Sequence, residues 1–212
     1  GSVVPDPAGG RLRLLSDGRI EAAYGLDEMG QGLLASIKAA VAAELGCSRD
    51  DINPVVGDTR HTPDSGSTTA SRGGYVVWRV AQEAGASLAT QIVDAASICL
   101  NRPAESLKII PGGIGERLSN SGELLLSFAD LSRKLLPAAL PHAEIAFEFP
   151  KNSYSAGNAR YIFAFGACIA RVAVNTVTGM VRLVDAAQHP AAGPMIDVAA
   201  YLGQMEGGLI QG

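Results

Sequence analysis

Gly25-Leu26-Asp27-Glu28-Met29-Gly30-Gln31-Gly32 is the stretch on which the fold turns. Behind it Leu33, Ile37, Val41 and Leu45 recur at steps of four, drawing one apolar stripe along a helix. Gly46 is placed to stop that helix. Ahead of it, residues 11–15 and 19–24 flank Ser16-Asp17-Gly18. Asp-Gly between short apolar runs signals a β-hairpin. The glycine-dense turn therefore joins a hairpin to a helix. Backbone N–H groups at a helix start favour an anion, and glycine lets a ligand approach the backbone. Gln31 adds both a donor and an acceptor. The same residues also suit a tight turn with a capping side chain.

Downstream, residues 52–56 read as a strand and 57–74 as a loop. The loop is long for a compact domain, and long ordered loops often carry function. It ends in Thr68-Thr69-Ala70-Ser71-Arg72-Gly73-Gly74, just before a second helix over 75–100. Small, hydroxyl-bearing residues at a helix start can wrap a phosphate-bearing ligand, and Arg72 can hold a phosphate. The plainer alternative is a Ser/Thr cap beside a solvated arginine. The only charges of the second helix are Arg79, Glu83 and Asp94, which predicts that it is largely buried.

Residues 107–110 and 122–128 read as strands around a glycine-rich turn at 111–115. A short helix over 129–136 stops at Pro137, and 143–149 alternates as a strand. Residues 150–160 are polar and loop-like. A second hairpin spans 162–175 and 180–186, turning at Asn175-Thr176-Val177-Thr178-Gly179. A last helix opens near Ile196, with Leu202, Met205 and Leu209 expected on one side. It contains Gly203-Gln204-Met205-Glu206-Gly207-Gly208, whose glycines alone suggest close helix packing.

The order predicts an α+β fold of mixed sheets with packed helices in two lobes. Residues 1–10 are expected to be a loose lead-in, 11–140 the first lobe, and 141–212 a second lobe cut short at its C-terminal end. The first hairpin breaks the strand–helix alternation that a doubly wound sheet requires.

Composition narrows the function. At 47% hydrophobic and 18% charged, the chain can fill a core. A net charge of −4, with no basic cluster beyond pairs such as Arg133-Lys134, weighs against nucleic acid. Cys47, Cys99 and Cys168 lie far apart with no CxxC, which argues against zinc, an iron–sulfur cluster or a disulfide framework. His61, His142 and His189 are scattered, so no metal site is assigned. No apolar run of about 18 residues is present to cross a membrane. The N-terminus has no signal-peptide pattern. Neither a phosphate loop nor a GxGxxG fingerprint occurs.

In order and spacing, residues 11–212 resemble one family. Glu28-Met29-Gly30-Gln31-Gly32 with the helix to Glu44-Leu45-Gly46 is similar to the cofactor-binding helix entry of molybdenum hydroxylase large subunits, the xanthine dehydrogenase and aldehyde oxidase kind. Asp58-Thr59 and Pro63 to Arg72 resemble the stretch that follows there. Gly166-Ala167-Cys168, Gly203 to Gly208 and Gln211-Gly212 resemble the later part of the same module.

The resemblance implies a two-lobed domain that binds molybdenum–molybdopterin, which in many bacterial members is the cytosine dinucleotide form. Gly30 and Gln31 would contact the pterin. Thr68, Thr69, Ala70, Ser71, Arg72 and Gly73 would surround the pterin and its phosphate. Gln204 would reach it from the other lobe. The family hydroxylates aldehydes or N-heterocycles with oxygen from water and passes electrons through iron–sulfur clusters to a flavin or another acceptor, in an oligomer expected in the cytoplasm. No Gly-Glu-Pro-type motif carrying the family's catalytic glutamate occurs here, so no catalytic residue is assigned, and the chain alone is expected to be inactive. Two alternatives are a structural or assembly module of such a complex, and an unrelated α+β domain that binds a nucleotide or another anion.

Overall fold

A computed structural model describes residues 7–119, 122–149 and 164–211. Strand β1 (Pro7–Leu14) pairs antiparallel with β2 (Ile20–Tyr24), from Arg11↔Ala23 to Leu14↔Ile20. Gly18 supplies the left-handed turn residue at φ 89°. The strand begins before residue 11. Pro7 to Arg13 pair with β7 (His142–Glu148), from Pro7↔Glu148 to Arg13↔His142. The expected loose lead-in is therefore corrected from Pro7 onward. Its glycine belongs to a strand contact, because a Cβ on Gly9 would lie 2.5 Å from the Ile145 carbonyl oxygen. β7 completes the first sheet.

Helix α1 (Leu33–Leu45) ends at Gly46, whose φ is 79° and whose N–H donates to Ala42 O. A 3-10 turn at Arg49–Asp51 leads into β3 (Ile52–Val56), which runs parallel to β2. The sheet order is β3-β2-β1-β7. Helix α2 (Gly73–Leu100) follows. Leu12, Ile20 and Tyr24 of the sheet share one core with Ile37 and Val41 of α1 and Val77, Val80 and Leu88 of α2.

The two helices run side by side. A Cβ on Gly73 would lie 3.8 Å from Leu33 Cδ1, and one on Gly85 would lie 3.0 Å from Glu44 Cγ. Contacts that climb both helices together mean a parallel pair with adjacent N-termini. The expectation of a largely buried α2 needs correction. One stripe, including Val80, Ala84, Leu88 and Ile92, is buried, whereas Trp78 is 45% and Ile98 82% exposed. Scarcity of charge did not mean burial, because Ser, Thr, Gln and Ala residues cover much of the outer face.

A three-stranded antiparallel sheet follows: β4 (Leu107–Ile110), β5 (Gly113–Glu116) and β6 (Leu124–Ser127). The expected turn at 111–115 is shorter, and Gly113–Glu116 is a strand. Its glycines allow close packing, because a Cβ on Gly113 would lie 2.2 Å from Leu126 O. Helix α3 (Phe128–Lys134) is capped by Ser127, whose Oγ accepts the Asp130 N–H at 3.0 Å. Asp51 Oδ2 accepts the Gly112 N–H at 3.0 Å and ties this sheet to the first.

The later part comprises the antiparallel pair β8 (Phe165–Val174) and β9 (Val181–Ala191), then α4 (Val198–Gln211). The expected loop at 150–160 and the hairpin's first residues, 162 and 163, lie outside the described residues. The second strand runs past the expected 186 to Ala191. Asp197 caps α4, its Oδ1 accepting the Ala200 N–H at 2.9 Å. The expected apolar side is corrected in one position. Tyr201, Met205 and Leu209 are half-buried at steps of four, while Leu202 is 52% exposed.

Candidate functional site

The starts of α1 and α2 lie together at one edge of the first sheet and its helices, and two loops are bonded there. Thr68 Oγ1 accepts the Asp27 N–H at 2.9 Å and donates to Asp27 Oδ2 at 3.4 Å. Ser65 is fully buried. Its Oγ accepts the Gly25 N–H at 2.8 Å and donates to Gly9 O at 2.6 Å. These bonds hold the loop 57–72 against the turn 25–32. Sequence reading missed Ser65, whose only signal was a hydroxyl beside Gly66.

The turn before α1 is built by Glu28. Its Oε1 accepts the N–H groups of Gly30 at 2.8 Å and Gly32 at 3.2 Å, and its Oε2 accepts that of Leu34 at 3.0 Å. The Leu34 amide foremost, with those of Gly30 and Gly32, holds this carboxyl below its ordinary value against the opposing effect of burial. Gly30 and Gly32 take φ 98° and 83°, the left-handed region that favours glycine. The helix start expected to offer amides to an anion is thus occupied by a carboxylate of the chain itself. Gln31 folds back on the same turn: its Nε2 donates to Asp27 O at 2.8 Å, and its Oε1 accepts the Met29 N–H at 2.6 Å. One N–H and one lone pair remain on that carboxamide by its ordinary valence.

The start of α2 differs. Arg72 is its N-cap, with no side-chain bond to the leading amides. Ala70 and Ser71 both have φ 53° and are exposed, a left-handed pair without glycine. Such a conformation costs on the order of 1 kcal/mol or more per residue and concentrates at functional turns. Thr69 Oγ1 lies 3.1 Å from Ser67 Oγ. A Cβ on Gly74 or Gly30 would meet nothing within 4 Å, so both face open space.

Arg72 is not a solvated arginine, being 7% exposed. Its Nε donates to Ser67 O at 2.8 Å, and one terminal nitrogen donates to Pro7 O at 3.0 Å and Ser65 O at 2.5 Å. Its guanidinium carbon sits 5.4 Å from the Phe149 ring centroid. Carbonyls of the loop and of β1 thus engage Arg72. Gly66 makes room for it, because a Cβ there would lie 2.2 Å from the Arg72 side chain.

Gln204 is exposed on α4. The link from α4 to the two helix starts runs through Ala200, whose Cβ would lie 3.3 Å from a Cβ on Gly32. Gln204 follows Ala200 by one helical turn, on the same side of α4. Gly30, Gln31, Thr68, Thr69, Ala70, Ser71 and Gly73 are thus drawn into one edge, with Ala200 of α4 next to it, Gln204 one turn further along that helix, and Arg72 beneath it. Among the described residues, no group of three or more His, Cys, Asp or Glu side chains could hold a metal ion.

A polar cluster supports the loop from the other face of the sheet. Glu21 is 4% exposed, with Arg13 Nε 2.8 Å from its Oε1 and His61 Nε2 2.9 Å from its Oε2. Arg11 donates to His61 O at 2.7 Å.

Comparison with known proteins shows what the chain as a whole resembles. The model of the molybdopterin cofactor-binding domain matches residues 1–212. A probable xanthine dehydrogenase component of Bacillus subtilis (strain 168) is 41% identical over 96% of this chain, which spans 26% of that protein. The crystal structure of quinoline 2-oxidoreductase from Pseudomonas putida 86 superposes over 95% of this chain and 25% of that one, with a TM-score of 0.73 at 20% identity. Aldehyde oxidoreductase from Desulfovibrio desulfuricans ATCC 27774 superposes over 98% of this chain and 20% of that one, with a TM-score of 0.67 at 20% identity. The chain thus spans about a quarter of the Bacillus relative's length.

Proposed function

We propose, because this chain belongs to the family of molybdopterin cofactor-binding domains, that it forms part of a molybdenum hydroxylase acting on an aldehyde or an N-heterocycle with oxygen from water. The names of its relatives, a xanthine dehydrogenase component, a quinoline oxidoreductase and an aldehyde oxidoreductase, support that range of substrates. The observation that carries the site is the pairing of two parallel helix starts at one edge, beside glycines that face open space.

The donor set fits the group. The uncapped amides at the start of α2, near Ser71 and Gly73, suit a phosphate, and parallel helix dipoles strengthen that edge. Gly30 leaves room for a flat ring, and the remaining N–H and lone pair of Gln31 suit a pterin edge. Thr68, Thr69 and Ala70 shape the wall between the two loops, and Gln204 closes it from α4. The bound group would supply the metal-centred, two-electron chemistry. The residues of this chain bind and orient it.

The cofactor is proposed to be the cytosine dinucleotide form, with iron–sulfur and flavin components receiving the electrons in a cytoplasmic oligomer. The chain by itself is proposed to be inactive. Among the described residues no helix is long and apolar enough to cross a membrane. Metal and pterin analysis of the full-length subunit tests the site, beside a Gln31→Ala, Gln204→Ala double variant. Molybdenum and pterin near one per wild-type chain and much less in the variant is the expected result. Pterin retained equally in both would reject these residues, and pterin in neither would favour a structural role.

A further inference from the structure

We infer that the uncharged face of the β8–β9 ribbon, in its half next to the turn at 175–179, is an interaction surface covered in the full-length subunit by an apolar segment of that same subunit from outside residues 1–212.

The two faces of the ribbon differ. Side chains alternate along a strand, and paired residues share a face. Gly166, Cys168, Ala170, Val172 and Val174 therefore point to one side of β8. Their partners on β9, from Pro190 opposite Gly166 to Val181 opposite Val174, add a single polar side chain, Gln188. The register shifts once, between Arg171 and Val172, and leaves Val184 as the extra residue of β9, so the alternation of β8 runs on unbroken. Every charged side chain of the ribbon lies on the other side, Arg171 opposite Asp185 and Arg182 opposite Ala173. Phe165 and Ile169 are exposed on that side too, but single exposed apolar side chains among polar neighbours are ordinary. An antiparallel sheet with one charged and one uncharged face commonly buries the uncharged one.

That burial is under way in the described residues. Helix α4 packs against β9. Ala186 and Pro190, both on the uncharged face, are the two half-buried positions of the ribbon. Toward the turn, Val172, Val174, Val181 and Leu183 on the same face are 50–64% exposed. Among the described residues no third strand pairs with the ribbon. A two-stranded ribbon in water is marginal unless a helix or further strands cover its apolar face. The half that α4 does not reach therefore calls for a cover of its own.

Chain length and chemistry select the occupant. The chain spans 26% of its Bacillus subtilis relative and 25% of the quinoline 2-oxidoreductase chain. In a subunit of that length, most of the polypeptide near this face is the subunit's own. A segment of the same chain is held at an effective concentration on the order of millimolar. It is also present while the ribbon folds, whereas a second copy must first be met by diffusion. A charged segment would leave its charge unpaired over four aliphatic side chains, which is costly, so the occupant is apolar.

The test places a cysteine on either face of the full-length subunit. Val172→Cys lies on the uncharged face and Ala173→Cys, one residue on, lies on the charged one. Each folded protein is treated with a maleimide, and labelling at that position is read by peptide mass spectrometry. Light scattering at the same concentrations reads the association state. Ala173→Cys is expected to react freely, and Val172→Cys at least about tenfold more slowly. That protection should persist on dilution to single chains. Equal rates at the two positions, fast or slow, overturn a cover specific to the uncharged face. Protection that vanishes when single chains form means a second copy, and protection that arises only when another subunit is added means a foreign partner. Either result overturns the assignment to the same subunit.

Leu183→Ala gives a second readout that decides the matter if the Val172→Cys chain does not fold. Truncating a covered leucine removes packing, so a clear fall in the Tm of the full-length subunit is expected. A Tm equal to that of wild type overturns the cover. Neither readout involves a bound cofactor, so failure of the cofactor site and failure of this surface are told apart.

Discussion

Arg72 donates to the carbonyl of Ser65 at 2.5 Å from beneath the loop that Ser65 anchors. The contact makes Arg72 an internal strut of the loop. It also joins the lead-in strand to the loop, since the same nitrogen reaches Pro7 O. Hydrogen bonds from a charged donor contribute about 1.5–3 kcal/mol each, and orphaned buried carbonyls add to the loss. Arg72→Lys is therefore expected to lower stability by roughly 2–4 kcal/mol, because an ammonium cannot reproduce the planar fork. Chemical denaturation of the full-length subunit checks this, and an unchanged midpoint would remove Arg72 from the support of the loop.

Gly66 is tied to the same strut. Its φ is 70°, and a Cβ would lie 2.2 Å from both Pro7 O and the Arg72 side chain. Gly112 has a similar φ of 81° with nothing within 4 Å. Replacing each by alanine separates backbone strain from steric conflict. Strain alone costs on the order of 1–2 kcal/mol, so Gly112→Ala should lose about that much and Gly66→Ala clearly more. Equal losses would mean that the loop relaxes around position 66.

Much of this was legible in the sequence, for identifiable reasons. The apolar stripe at Leu33, Ile37, Val41 and Leu45 announced α1, and Gly46 its end, because helical spacing and a left-handed stop are local signals. Asp17-Gly18 announced the first hairpin in the same way. Pro7 to Gly10 were not legible, because their strand character depends on β7, distant in sequence. The candidate loops were legible as segments but not in their wiring. Nothing local says that Arg72 turns inward to Pro7 and Ser65, or that Glu28 rather than a ligand fills the amides of α1. Both outcomes depend on contacts settled only when the two loops meet.

Acid should weaken the protein through Glu21. Burial pushes its carboxyl up, but hydrogen bonds from Arg13 and His61 outweigh burial and hold it below the ordinary 4.5. A carboxyl lowered in the folded state contributes stability that is full above its unfolded value. That contribution is lost as the pH falls through the lowered folded value. The window therefore opens near pH 4.5 and extends downward. Glu21→Gln should be less stable at neutral pH and show a flatter decline on acidification. Parallel pH profiles for the two proteins would exclude this group as a source of acid sensitivity.

The thiols should react in a fixed order. Burial pushes the Cys47 thiol up to about 12, with Asp51 adding to the shift, while Cys168 is exposed. The thiolate is the reactive form. Iodoacetamide at mildly alkaline pH should label Cys168 first and Cys47 only after unfolding, as read by peptide mass spectrometry. Early labelling of Cys47 in the folded protein would contradict the packing around the end of α1.

Gly74 separates ligand space from folding. It lies in the first turn of α2, outside the left-handed region, and a Cβ there would meet nothing within 4 Å. Leucine is a better helix former than glycine, by up to about 1 kcal/mol per residue. Gly74→Leu should therefore leave stability unchanged or slightly raised. The new side chain would stand beside the uncapped amides proposed to receive the phosphate, and there it would crowd the ligand. The full-length Gly74→Leu subunit should fold with at least wild-type Tm yet carry severalfold less pterin and molybdenum per chain. A variant with raised Tm and full pterin content would place the phosphate away from the start of α2. A variant with lowered Tm would show that the face over Gly74 is packed in the full subunit.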